Sequence, residues 1–74
     1  MTPEQLQSYA TYYNIPLPNL SETHFLLGYG YKPVTRIIQW GWSCTFGRFH
    51  ALVEFPDGSE CWTFPRPDYA KTWD

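Results

Sequence analysis

A chain of 74 residues with a formal charge of −2 and a pI near 5.5 has the length of one small domain, which buries a smaller share of its surface than a larger one. Charged residues are only 16% of the sequence and aromatic residues 20%, which excludes a disordered composition and supplies large rings, each able to bury ~150–250 Å². The basic residues Lys32, Arg36, Arg48, Arg66 and Lys71 are scattered, there is no leader-like start and no long apolar run, so the expected setting is soluble and cytoplasmic, away from membranes and without a nucleic-acid footprint.

The first expected element is a helix. Thr2 is placed to cap it, Pro3 to fill the first helical position, where a missing N–H is harmless, and Gln5 to complete a Thr-x-x-Gln capping box. Leu6, Tyr9, Ala10 and Tyr13 then recur at helical spacing and form a stripe to bury. Asn14 suits a left-handed terminator, and the prolines of Ile15-Pro-Leu-Pro-Asn19 enforce extended chain. Ser21 to Gly28 reads as a short second helix capped by Ser21, with a strand as the alternative, because two helical turns need tertiary support. Gly28 to Pro33 reads as a connection.

From Val34 the pattern becomes β. Val34–Trp42 is rich in branched and aromatic residues, Gly47–Phe55 alternates, Pro56-Asp-Gly58 is a turn, and Ser59–Phe64 returns. The tail starts extended at Pro65, and Asp68 is placed to cap a last helical turn. The expected fold is α+β over residues 1–74 as one domain, an N-terminal helix packed on a twisted three-stranded antiparallel meander. The hairpin Leu52-Val-Glu-Phe-Pro-Asp-Gly-Ser59 resembles those of SH3-like and Tudor-like domains, over that hairpin alone, and no family follows from it.

The turn at Pro56-Asp-Gly58 sets the register. With Phe55 facing Ser59, Val53 meets Cys61, Leu52 meets Trp62, Ala51 meets Thr63 and His50 meets Phe64. A first hairpin turning at Thr45-Phe46 puts Trp42 against Phe49, Trp40 against Ala51 and Ile38 against Val53. The inner face then holds Ile38, Trp40, Trp42, Phe49, Ala51, Val53, Phe55 and Cys61 under Leu6, Tyr9 and Tyr13. The outer face collects Ile37, Gln39, Gly41, Arg48, His50, Leu52, Glu54, Glu60, Trp62 and Phe64. Gly41 opposite His50 leaves room for a ring, and Glu54 opposite Glu60 needs a cation such as Arg36 nearby.

Chemistry is sparse. Cys44 and Cys61 fall on the two outer strands, ~9–10 Å apart, too far for a disulfide. His24, Cys44, His50 and Cys61 have the count of a zinc set without its paired spacing, and Cys44 with His50 lacks an orienting acid. No catalytic residue, metal site or cofactor is expected. The outer face is the candidate site: Trp62, Phe64, Leu52 and His50 as its apolar centre, with Arg48, Gln39 and Glu54 for orientation. A non-catalytic module or accessory protein binding a protein partner there is the expected function. Stacking of single-stranded nucleic acid on Trp62, Phe64 and His50, or self-association, are the alternatives.

Overall fold

The structure, a computed structural model, describes residues 1–73, and Asp74 lies outside them. It has one N-terminal helix α1 (Pro3–Tyr13) and five strands, β1 (His24–Leu27), β2 (Gly30–Pro33), β3 (Arg36–Ser43), β4 (Arg48–Glu54) and β5 (Glu60–Thr63), before a 3₁₀ helix at Asp68–Trp73. Strands β3-β4-β5 form the expected antiparallel meander, and β1-β2 form a second, two-stranded sheet. The α+β class is therefore established.

Helix α1 begins as its residues require. The Thr2 hydroxyl accepts from the Gln5 backbone N–H at 3.2 Å, and the Gln5 side chain accepts from the Thr2 N–H at 2.9 Å. At the other end Asn14 takes the left-handed conformation at φ 55°. Leu6 and Ala10 are buried against the sheet, whereas Tyr13 is 56% exposed, contrary to the expectation that it covers the core. Tyr13 instead stacks along the helix on Tyr9, which is the ring that reaches Trp42 and Phe49.

Residues 21–28 do not form a helix. They enter β1, and the expected connection supplies β2, so that Phe25 pairs with Lys32 and Leu26 with Tyr31. Long-range bonds hold β1 in place. The Leu26 N–H donates to the Phe64 carbonyl at 3.0 Å, the Arg66 N–H to the His24 carbonyl at 2.9 Å, and the Thr63 hydroxyl to the Leu26 carbonyl at 2.6 Å. Beyond Pro33 the chain runs directly into β3, with the Thr35 N–H donating to the Glu54 carbonyl. The strands thus curl around a common interior. Leu6, Ala10, Phe25, Trp40, Phe49, Ala51, Val53 and Phe55 form that core, with Phe25 fully buried and its ring 5.9 Å from Trp40.

The register agrees with expectation except at one point. Trp42 faces Phe49, Trp40 faces Ala51, and Leu52, Val53 and Glu54 face Trp62, Cys61 and Glu60. A bulge between Ile37 and Gln39 moves the Val53 partner from Ile38 to Ile37. Ile37 therefore packs against the core and leaves the outer face, whereas Ile38, half-buried like Ile37, is not packed against the core cluster.

Candidate functional site

Alternation along β4 places Phe49, Ala51 and Val53 inward and Arg48, His50, Leu52 and Glu54 outward. On the inner side Trp40 is buried and Trp42 packs against the core; on the outer side Trp62 is 46% exposed. Trp62 lies across the gap that Gly41 provides. A Cβ at Gly41 would meet Trp62 Cζ3 at 3.0 Å and His50 Nε2 at 3.6 Å, so the ring rests on bare backbone.

The rings on this side form a connected row. His50 lies 4.6 Å from Trp62 and 6.0 Å from Phe64, centroid to centroid, each at an interplanar angle of 34°. The Arg48 guanidinium sits 3.9 Å above the Phe64 ring, and Phe46 meets that ring edge-on at 5.3 Å. Burial among these groups pushes the His50 pKa below its ordinary value, because the charged imidazolium would lose hydration. Leu52 is half-buried opposite Trp62, and Gln39, its neighbour on β3, is exposed.

The acidic end is also explained. Glu54 faces Glu60, and Arg36 Nε donates to Glu54 Oε1 at 2.8 Å, supplying the cation that the like-charge pair requires. This bond, then the Glu54 charge, raises the Arg36 pKa.

The structure thus brings Arg48, His50, Trp62 and Phe64 into direct contact as one row, with Leu52, Gln39 and Glu54 on the same face by register. Phe46 was not among the candidates. It is 67% exposed in the turn between β3 and β4, and its ring joins the row only because that turn folds back over Phe64. Cys44 is exposed in the same turn and Cys61 is half-buried; both are free thiols. His24 lies in β1, its Nδ1 2.9 Å from the Thr23 hydroxyl. Among the described residues no three His, Cys, Asp or Glu side chains converge as a metal site would require, and no helix is long and apolar enough to cross a membrane.

No protein-family model matches the chain, and comparisons with curated proteins and with solved structures found no match.

Proposed function

We propose that the chain is a non-catalytic binding module of the cytoplasm that recognises a protein partner through the outer face of β3-β4-β5. Trp62 is the anchor, Phe64, His50 and Leu52 complete the apolar centre, and Arg48, Gln39 and Glu54 orient the partner. One observation carries this reading: a large ring, 46% exposed, is held in place by Gly41 beneath it and His50 beside it. A ring already fixed loses little side-chain freedom when a partner covers it, and such aromatic anchors dominate interface energies.

The test is capture with the purified chain as bait, by crosslinking and mass spectrometry, comparing wild type with Trp62→Ala. A partner held through this face loses about thirty-fold in affinity on truncation of a ~2 kcal/mol anchor. Capture that is indifferent to Trp62→Ala overturns the reading. Two outcomes replace it. Binding that weakens steeply with salt identifies a nucleic acid, and a mass that rises with concentration and falls back in Trp62→Ala identifies self-association.

A further inference from the structure

Helix α1 carries a second aromatic feature, outside the core. Its Leu6 and Ala10 are buried, while Tyr12 and Tyr13 remain 82% and 56% exposed. With Met1, Glu4, Ser8 and Tyr9 these two rings line an open cleft of about 640 Å³, which shares no residue with the outer sheet face. Helical spacing gathers them, because residues three or four apart are neighbours on a helix surface. Glu4, Ser8 and Tyr12 follow one another at that spacing, as do Tyr9 and Tyr13. The rings stand as a corner. Tyr9 lies 5.4 Å from Trp42 and 4.6 Å from Tyr13, centroid to centroid, and so ties Tyr13 to the core. Tyr12 then meets Tyr13 at 4.9 Å with the ring planes 74° apart. Two exposed rings near a right angle leave a re-entrant corner walled by ring faces, which carry the negative part of the quadrupole.

The surrounding charges favour a cation. Glu4 forms no ion pair among the described residues. Residues 1–31 contain no lysine or arginine, and none lines the cleft among the described residues. The last turn of α1, which carries Tyr12 and Tyr13, has no basic residue to offset the negative end of the helix dipole. Met1 borders the cleft, but its ammonium donates to the Trp40 carbonyl at 2.8 Å and does not pair with Glu4.

Ring faces, an unpaired carboxylate and a methionine suit a cation that is large and weakly hydrated. A lysine ammonium is a compact, strongly hydrated charge with three N–H donors, and the cleft offers it one carboxylate. A quaternary ammonium has no N–H to satisfy, and it turns methyl groups to the rings while its charge is attracted by their quadrupoles. We propose that this cleft on α1 binds a quaternary ammonium group, with its methyl groups against Tyr12 and Tyr13 and its charge opposite Glu4. The site is separate from the outer sheet face and stands without the reading proposed for it.

The experiment titrates the full, isotopically labelled chain and follows its tyrosine ring resonances. The probes are choline, its uncharged carbon isostere, methylguanidinium, and a short peptide bearing trimethyllysine. The expected result is saturable choline binding with a dissociation constant on the order of millimolar, at least about ten-fold tighter than the isostere and tighter than methylguanidinium. Tyr12→Leu, at an exposed position, weakens choline about five-fold, Tyr12→Phe keeps the affinity, and Glu4→Gln weakens it about two-fold. A peptide that binds more tightly than choline places the group on a protein side chain, and choline binding at least as tightly places it on a small molecule; both uphold the site. The absence of saturable choline binding at ~10 mM overturns the proposal, as does equal affinity for the isostere or preference for methylguanidinium. Choline binding that is unchanged in Tyr12→Leu, or that is lost in Trp62→Ala, also overturns it, the second by moving the cation to the outer sheet face.

Discussion

His50 shows how a single residue couples the site to solution conditions. Burial holds its folded-state pKa below the unfolded value of ~6.5, so on acidification the unfolded chain takes up the proton first. Its contribution to stability is complete above that value and is lost as the pH falls through it towards the folded pKa. The charged member of the row is Arg48, stacked on Phe64, a cation that does not help to retain an imidazolium. Urea midpoints measured from about pH 8 to pH 5 should therefore decline on the acid side, and His50→Gln should remove part of that slope. An unchanged slope in His50→Gln would show that the imidazole is not desolvated by its neighbours. Gly41 was readable in advance for a related reason: opposite an outward His50, a residue without Cβ leaves a seat for a ring, and parity placed Trp62 next to that seat.

At the scale of elements, legibility follows the range of the interactions that fix each one. Helix α1 was legible because its determinants are local: Thr2, Pro3, Gln5 and Asn14 cap it within the segment itself. The β4–β5 hairpin was legible because Pro56-Asp-Gly58 fixes its register, with Gly58 at φ 89°. Strands β1 and β2 were not, because what extends 24–27 is the chain at 64–66, which no local pattern contains. The bulge at Ile38 was hidden as well, since neighbouring isoleucines carry no alternation to show which one turns inward. The Thr63 hydroxyl is one side-chain link across this junction, buried and 2.6 Å from the Leu26 carbonyl. Thr63→Val keeps the shape and leaves that carbonyl without its donor, so it should cost about 1–3 kcal/mol in chemical denaturation. The loss should be accompanied by faster amide exchange at Leu26, and unchanged exchange there would mean the hydroxyl does not hold β1 to the meander.

For the molecule as a whole, the same long-range logic converges on one ion pair. Glu22 precedes β1 and Arg66 follows β5, 44 residues later, yet Arg66 Nη2 approaches Glu22 Oε1 at 3.4 Å. Both side chains are nearly out of water, 11% and 2% exposed for Arg66 and Glu22. The same carboxylate oxygen accepts the backbone N–H groups of Thr23 and His24 at 3.0 and 3.1 Å, so it shapes the entry into β1 while it holds the tail. The pair closes the strands around Phe25, the fully buried ring that composition offered but sequence position did not reveal as core. A pair this well buried behaves unlike a surface bridge, because removing one partner takes an opposite charge away from a site with little water to replace it. Arg66→Met should lower unfolding free energy by about 3–5 kcal/mol, against the ~0–1 kcal/mol typical of exposed pairs. Glu22→Gln combined with Arg66→Met removes both charges and retains an oxygen for the two N–H groups, so it should recover most of that loss. If the double variant is no more stable than Arg66→Met, the destabilisation comes from lost packing of the arginine stem, and the closure of the molecule depends on Phe25 and its apolar neighbours rather than on paired charge.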